Sequence, residues 1–582
     1  MPENCTEQVY SEAYLDYLVE YFQQAADETL GENCYHIASN RFAVLYEPGT
    51  EYTIGELSGI KVIPRCYGLL SSSEVLENAG ISRVQRQPGL NLYGQGILVG
   101  FVDTGIDYSH PAFIDGAGQS RIVSIWDQTV QTLQPGVTSP EEFYYGAEYT
   151  QEMINRALES ETPLEIVPSR DTNGHGTFLA GAAAGNVAEE EEFSGVAPLA
   201  KICVVKCKEA KQNLKDYYFI DVKEPCYAES DIMLGIRYLW IQAEKRKLPL
   251  VVCLGMGTNQ GGHIHGGILG DFLANLGNYR GAFITVAGGN EANTSHHYKN
   301  ESFDGQESVE AELRVEERET GFTIELWSDA TELYSVALIS PDGEYTGKLQ
   351  ARLGETRKIQ FLFGNTVVYV EYLLVSYEDG DECIRLRFQN PVAGVWRIRV
   401  FRENIVSGRF DMWLPIKNFV SDGTYFLRAD PDTTLCEPSN NGGIITCSFY
   451  DSSNRSVAIE SGRGFTRDNS IKPDFAAPGV NVFGPLPFIG TYPVTGQERK
   501  DKARYGYRSG ASMAAAITAG AVALLAEWAL VQRNDLSMDT VKAKKYFIRG
   551  ADRSGITVPS TIWGNGTLDL YGIFDSLRPT LR

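Results

Sequence analysis

Long apolar runs and a cysteine framework are both missing from this chain of 582 residues. No stretch of about 18 consecutive apolar residues is present, so we expect no membrane-spanning helix. The start, Met1–Glu7, is acidic and no apolar core follows it, which predicts that there is no secretory signal. The 10 cysteines show no framework spacing, which favours free thiols and a reducing compartment.

Positive charge is also scarce. The chain has 51 Lys and Arg against 75 Asp and Glu, which gives a formal net charge of −24. This surplus of negative charge argues against nucleic acid and against an anionic membrane surface as partners. The content of 43% hydrophobic and 22% charged residues is typical of a globular protein, and the length leaves room for several domains.

Three short segments that contain glycine place an Asp, a His and a Ser in that order along the chain. They are Val102–Gly105, Asn173–Thr177 and Ser509–Ala514. A serine hydroxyl becomes a good nucleophile only when a base takes its proton and a third group orients that base. The three segments therefore predict one catalytic unit.

The surroundings of each residue fit that chemistry. The apolar run Gly96–Val102 predicts a buried parallel strand, with Asp103 at the carboxyl end where open α/β sheets bind ligands. His175 precedes small apolar residues that predict a buried helix. Ser512 precedes a longer run of this kind, so backbone N–H groups at a helix start would lie near a developing oxyanion.

These segments resemble the subtilisin-like serine protease family, which has the same Asp, His, Ser order. Two more segments match in order: Val286–Glu291 is similar to the segment with the oxyanion Asn, and Lys472–Val480 to the segment before the Ser. The resemblance implies a serine endopeptidase in which Asp103, His175 and Ser512 are catalytic and Asn290 binds the oxyanion. An esterase is not expected, because the Gly-x-Ser-x-Gly elbow is missing around Ser512.

The resemblance also implies where a protein or peptide substrate would bind. Six small or apolar residues would line the cleft, namely Gly255, Met256, Gly257, Ala287, Gly288 and Gly289. No cofactor is expected, while calcium stays open: acidic runs such as Glu189–Glu192 are more typical of solvated surfaces. The histidine pairs His263/His265 and His296/His297 lack acidic or Cys ligands at a recognisable metal spacing.

Two departures from the family pattern lie near the serine. Ala511 stands where the family has Thr, and Ala516 where it usually has Pro. The chain resembles the Csp-type germination proteases of spore-forming bacteria in three respects: the sequence around Ala511 and Ala516, the missing signal and a large insertion after Asn290. We therefore expect a cytoplasmic or spore-associated protein. Some members of that group are pseudoproteases, so a catalytically silent binding protein is the alternative.

The predicted fold is α/β, with a subtilisin-like parallel sheet, a small N-terminal prodomain and an inserted β-sandwich or jelly roll. The boundaries are 1–72 for the prodomain, 73–294 and 433–582 for the catalytic domain, and 295–432 for the insertion. Within the prodomain, residues 13–22 predict an amphipathic helix. The insertion alternates apolar and polar residues, as in Phe322–Trp327 and Val395–Val400, which predicts strands that act as a brace or a partner surface.

The end of the prodomain predicts self-cleavage. Two leucines are followed by Ser71–Ser73, which suits an extended strand threaded through a cleft, and the family cuts its prodomain at such a place. We expect one cut around Leu69–Ser72, after which the prodomain stays bound as an inhibitor. An ordinary linker is the alternative for this segment.

Overall fold

The structure, a computed structural model, describes residues 5–21, 34–52, 61–69, 79–352, 356–377, 380–489 and 495–577. A nine-stranded sheet forms its centre. The strands are Leu98–Asp103, Ile122–Asp127, Ala147–Thr150, Lys201–Lys206, Leu250–Leu254, Ala282–Ala287, Ile445–Asp451, Ser456–Val457 and Phe475–Pro478. Six of the pairings are parallel and two, at the sheet margins, are antiparallel. The predicted parallel sheet is confirmed.

Helices cover both faces of this sheet because its central strands are apolar on both sides. Along Leu98–Asp103, Val99 and Phe101 pack into one buried cluster, and Leu98 and Val102 into the other. The helices of the described chain are Thr6–Tyr10, Ile81–Arg86, Gln151–Glu159, Pro163–Ile166, His175–Ala184, Gln212–Tyr218, Glu229–Arg246, Gly267–Gly277, Gly496–Lys502, Ala511–Ala526, Thr540–Gly550 and Leu570–Leu577.

Within the described ranges of the chain, one helical segment is long and apolar enough to cross a membrane. It is Ala511–Val531, and 83% of its most apolar window is buried inside the protein. The helix packs against His175–Ala184 and against the central sheet. Its apolar character is therefore explained by its place in the core.

The N-terminal unit (residues 1–72) contains a four-stranded sheet of Tyr14–Glu20, Cys34–Ile37, Phe42–Pro48 and Lys61–Val62. The prediction of a helix over residues 13–22 is wrong, because Tyr14–Glu20 is a strand. Leu15, Tyr17 and Val19 point into one buried cluster while Leu18 points into another. Apolar residues on both faces hid the period of two that marks a strand.

The expectation of free thiols is wrong for two cysteines of this unit. Cys5 and Cys34 form a disulfide across 29 positions of the chain. Pairing of this kind depends on two Cα atoms approaching within about 7 Å, which spacing along a sequence does not reveal. The other eight cysteines are buried and form no disulfide among the described residues.

The inserted domain (residues 295–432) is made of strands, as its alternating pattern predicts. One sheet contains His297–Asn300, Gly321–Ser328, Thr356–Gln360, Val367–Leu373, Glu382–Gln389 and Phe410–Trp413; the other contains Ser308–Val315, Leu333–Ile339, Gly394–Asn404 and Tyr425–Phe426. A large buried cluster, which includes Leu326, Trp396 and Met412, lies within this domain, and Trp327, Cys383 and Trp413 form a smaller one. The domain contacts the rest of the chain where Trp413 stacks on His263 at 4.0 Å between ring centroids.

Candidate active site

Asp103 and His175 are hydrogen-bonded at the centre of the molecule. Asp103 is the last residue of its strand, and His175 is the first residue of the helix His175–Ala184. The His175 Nδ1 lies 2.8 Å from Oδ1 and 3.0 Å from Oδ2 of Asp103. Each residue is 1% exposed. The carboxylate therefore fixes the orientation of the ring with little competition from water.

Ser512 lies on the other side of the same ring. Its Oγ is 3.1 Å from the His175 Nε2. Ser512 is the second residue of the helix Ala511–Ala526 and is fully buried. The fold thus brings three side chains together from segments 72 and 337 positions apart, and the distances suit proton transfer.

Glycine is required at two positions around these side chains. A Cβ on Gly176 would collide with the carbonyl oxygen of Gly105. A Cβ on Gly255 would lie 2.9 Å from the Ser512 Cβ and 3.1 Å from the His175 Cε1. Distances this short are closer than van der Waals contact, so a side chain at either position would displace the reacting groups.

Asp171 supports the histidine and was missed by the sequence reasoning. Its Oδ1 accepts hydrogen bonds from the Gly174 N–H at 2.7 Å and the Thr104 hydroxyl at 2.9 Å. Its Oδ2 accepts from the N–H and the hydroxyl of Thr177 at 2.9 and 2.7 Å. Asp171 therefore ties the start of the His175 helix to the residue that follows Asp103. An Asp shortly before a helix start is the only sequence signal that marks it.

Asn290 lies beside the start of the serine helix. Its Oδ1 accepts a hydrogen bond from the Ala511 N–H at 3.0 Å, and the residue is 3% exposed. Because the Asn290 Oδ1 accepts this hydrogen bond, the Nδ2 group of the same amide is left as a donor next to Ser512. A donor here and the N–H groups of the helix start together favour negative charge at this point.

The predicted substrate-lining residues follow two neighbouring strands of the sheet. The strands Leu250–Leu254 and Ala282–Ala287 run parallel, with Leu254 opposite Val286. Gly255, Met256 and Gly257 follow the first strand, while Gly288 and Gly289 follow the second. All six predicted lining residues therefore lie at the same end of the sheet as Asp103.

A strand of the N-terminal unit occupies this cleft. The tail strand (Cys66–Leu69) pairs antiparallel with Met256–Gly257, Leu69 opposite Met256 and Gly68 opposite Gly257. On its other side it pairs with Tyr227–Ala228, Tyr67 opposite Tyr227. The tail is therefore an added middle strand between two strands of the catalytic part, which is how many proteins bind extended peptides. The predicted cleavage segment beyond Leu69 lies outside the described residues.

Two buried histidines contact oxygen atoms of neighbouring residues. The ring nitrogens of His263 lie 3.0 and 3.1 Å from the carbonyl oxygens of Leu435 and Asn259. Burial lowers the pKa of His263 to about 3. His297 Nε2 is 2.9 Å from Asp411 Oδ1. In the part of the chain that the structure describes, no group of three or more His, Cys, Asp or Glu is placed to hold a metal ion.

Comparison with known proteins gives a family and a structural relative. The model of the subtilase family, peptidase S8, matches residues 94–324 and 418–566. The solved CspB protease of Clostridium perfringens superimposes with a TM-score of 0.73 and is 30% identical in sequence. That match covers 86% of this chain and 96% of the CspB chain.

Curated relatives match over a shorter stretch. The subtilisin-like protease SBT2.3 of Arabidopsis thaliana is 30% identical over 133 residues, and SBT2.2 of the same plant is 31% identical over 134. Each match covers 21% of this chain and 16% of the relative. This chain thus matches about a sixth of the length of these plant proteins.

Proposed function

Because the chain belongs to the subtilase family, we propose that it is a serine endopeptidase that cuts peptide bonds through Asp103, His175 and Ser512 and processes its own N-terminal unit. The observation that carries this proposal is the unbroken row of hydrogen-bond contacts from Asp103 through His175 to Ser512. A catalytically silent fold would not need to maintain all three.

The geometry supports the following steps. The Ser512 Oγ attacks the scissile carbonyl while the His175 Nε2 takes its proton, and Asp103 stabilises the imidazolium that forms. The oxyanion of the tetrahedral intermediate accepts hydrogen bonds from the Ser512 N–H and the Asn290 Nδ2 group. His175 then protonates the leaving amine, and water releases the acyl group by the same route in reverse.

The first substrate of this site is the tail of the same chain. The antiparallel register pairs Leu69 with Met256 and Gly68 with Gly257. In an antiparallel register the next residue of a bound chain would be opposite Gly255, where an added Cβ would lie 2.9 Å from the Ser512 Cβ and 3.1 Å from the His175 Cε1. We therefore place the cut between Leu70 and Ser71, inside the segment that the sequence predicts.

The external substrate is a protein segment that follows the same path. The likeness to the CspB protease and to the Csp-type group supports a zymogen activated during spore germination as that substrate. The N-terminal unit, which fills the cleft after cleavage, would be displaced before such a substrate enters.

A fluorophosphonate probe tests the peptidase assignment directly. Once the N-terminal unit has been displaced from the cleft, the parent should become labelled at Ser512, and the Ser512→Ala chain treated in the same way should not. A His175→Ala chain, which keeps the hydroxyl but loses its base, should label at least a hundredfold more slowly, about the effect of removing a general base. A parent that remains unlabelled and does not cleave peptides would support the silent alternative.

A further inference from the structure

A buried acidic recess lies beside the tail strand, and Arg65 fills it. Arg65 directly precedes the tail strand and is 5% exposed. Two carboxylates form the walls. Glu229 is the first residue of the helix Glu229–Arg246 and is 1% exposed; Glu325 belongs to the inserted domain and is 3% exposed. Carboxylates buried this deeply need cations or N–H donors as partners.

Two glycines form the floor of the recess. A Cβ on Gly261 would lie 2.7 Å from the Arg65 Nη1, and a Cβ on Gly267 would lie 2.7 Å from the Arg65 Cζ. Their φ angles are +117° and +61°. Both positions thus favour glycine, and a side chain at either one would take the space of the guanidinium group.

Glu229 binds the backbone of Arg65 and interacts electrostatically with its charge. Its Oε2 accepts a hydrogen bond from the Arg65 N–H at 3.2 Å, and its own N–H donates to the Arg65 carbonyl at 2.9 Å. Its Oε1 accepts from the Leu269 N–H at 3.0 Å. Burial raises the pKa of Glu229, and the charge of Arg65 is the largest influence that opposes it.

Glu325 supplies the second carboxylate from the inserted domain. Its Oε2 accepts from the Gly261 N–H at 2.8 Å, and its Oε1 accepts from the Arg385 Nε at 2.9 Å. Burial acts to raise the pKa of Glu325, but the charges of Arg385 and Arg65 help to bring it below its usual value. The carboxylate therefore stays ionised and adds to the negative potential around Arg65.

We propose that Glu229 and Glu325, above the floor of Gly261 and Gly267, form a subsite for a basic side chain of the substrate. Arg65 occupies it in the uncleaved chain, and an Arg or Lys of an external protein substrate occupies it in turn. Arg65 lies four positions before Leu69, so a substrate in the same register carries its basic residue there. The proposal rests on the proposed function, since it needs substrates to follow the tail, and it gives the inserted domain a part in substrate choice.

Competing peptides test this subsite. Two quenched fluorescent peptides that span Lys61 to Glu74, with and without Arg65→Gln, are mixed with the processed full chain. Their ratio of kcat/KM does not depend on how many clefts the N-terminal unit still fills. We expect a preference for Arg of roughly tenfold or more, because the Gln peptide removes the cation beside the buried carboxylate of Glu229, whereas Glu325 keeps Arg385. The preference should fall below about threefold in a Glu229→Gln enzyme.

The controls are matched for charge. A peptide with Lys61→Gln should be cut as fast as the parent peptide, because Lys61 pairs with Glu47 of its own unit. A Glu209→Gln enzyme, which loses an exposed carboxylate paired with Lys215, should keep the preference. Equal cutting of the Arg65 and Gln peptides by the parent would overturn the subsite.

Hydrogen exchange in the Ser512→Ala chain separates this proposal from the peptidase assignment. Arg65→Gln should lower the protection of the tail-strand amides about tenfold, and Lys61→Gln should leave it unchanged. If peptides are not cut but protection falls as expected, the subsite stands and the peptidase assignment fails. If peptides are cut without preference and protection is unchanged, the subsite fails and the peptidase assignment stands.

Discussion

The site depends on a few short contacts that the sequence separates widely. Asp103 orients His175, His175 faces Ser512, and Asp171 ties the histidine loop to Thr104. Because these groups are almost fully buried, each hydrogen bond acts without competition from bulk water. Changes at this scale should therefore affect turnover far more than stability.

The three catalytic side chains should behave as one unit. Alanine at Asp103, His175 or Ser512 should each remove most turnover of a peptide substrate, and combining His175→Ala with Ser512→Ala should cost little more than either alone. The measurement is kcat of the single and double variants. Losses that multiply, or a Ser512→Ala chain with near-parental kcat, would contradict the assignment.

Asn290 should contribute mainly to the transition state. Asn290→Ala removes one oxyanion donor, so kcat should fall about 10²–10³-fold. The Michaelis constant should change little, because a ground-state carbonyl needs this donor less than the intermediate does. The same change at Asn259, whose Nδ2 donates to the carbonyl of Leu414, serves as a control for amide loss. A large rise in KM with unchanged kcat would refute the oxyanion role.

At the residue scale, much of the candidate site could be predicted from the sequence, because Asp103, His175 and Ser512 each lie in a short motif that contains glycine. Gly255 and Gly176 approach other atoms too closely for any side chain, which explains why those motifs are glycine-rich. Asp171 was missed because its role depends on four hydrogen bonds from three residues, Thr104, Gly174 and Thr177, that only the fold brings around it. A single Asp before a loop carries no such information in sequence.

At the scale of elements, the tail strand lies in the predicted cleft. It pairs between Met256–Gly257 and Tyr227–Ala228, the path that we propose for substrates. The sequence predicts an extended segment here, whereas its prediction of a helix over residues 13–22 is wrong, since Tyr14–Glu20 is a strand. Its antiparallel pairing with Phe42–Pro48 and the packing of Leu15 and Leu18 into different clusters show that this segment is a strand.

Docking of the N-terminal unit should weaken in acid. His36 of this unit is buried against the catalytic part, with its Nε2 2.5 Å from the Phe143 carbonyl oxygen. Burial lowers the pKa of His36 to about 4, whereas a released unit would have a pKa near 6.5. The docked state binds fewer protons, so its stability is complete above about pH 6.5 and is lost as the pH falls toward 4. We expect a loss of up to about 2 kcal/mol at pH 5.

Gel filtration of the processed complex at pH 7 and pH 5 measures this effect. A His36→Gln chain should show a smaller difference between the two pH values than the parent. Burial raises the pKa of Asp231 to about 6, so protonation of Asp231 between pH 7 and pH 5 acts on docking in the opposite sense to protonation of His36. The His36→Gln variant retains Asp231, so the comparison isolates the contribution of His36. Equal pH dependence of parent and variant would exclude His36 as the cause.

At the scale of the whole molecule, the inserted domain is held to the catalytic part by buried charges. Arg467 is 5% exposed, lies 3.2 Å from Asp329 and also pairs with Asp381, both of the inserted domain. Its Nε donates to the Gly262 carbonyl at 2.8 Å. Sequence alternation predicted the strands of this domain, but these long-range contacts depend on the assembled fold.

Loss of Arg467 should therefore destabilise the whole chain. We expect Arg467→Ala to lower the free energy of unfolding by about 2–3 kcal/mol, because it leaves acceptors without a buried cation. Arg455→Ala, which removes an exposed pair with Asp552, should cost less than about 1 kcal/mol. Urea unfolding of both variants in the Ser512→Ala background gives the comparison, and equal midpoints would refute the bracing role of Arg467.

Intact-mass analysis of the freshly purified chain tests the central claim most directly. If Ser512 is the nucleophile and the tail is its first substrate, the parent should appear as two copurifying species cut between Leu70 and Ser71. The Ser512→Ala chain should keep its full length of 582 residues. A parent that stays intact yet labels at Ser512 would contradict self-processing, and a cut that persists in Ser512→Ala would contradict the account of this active site.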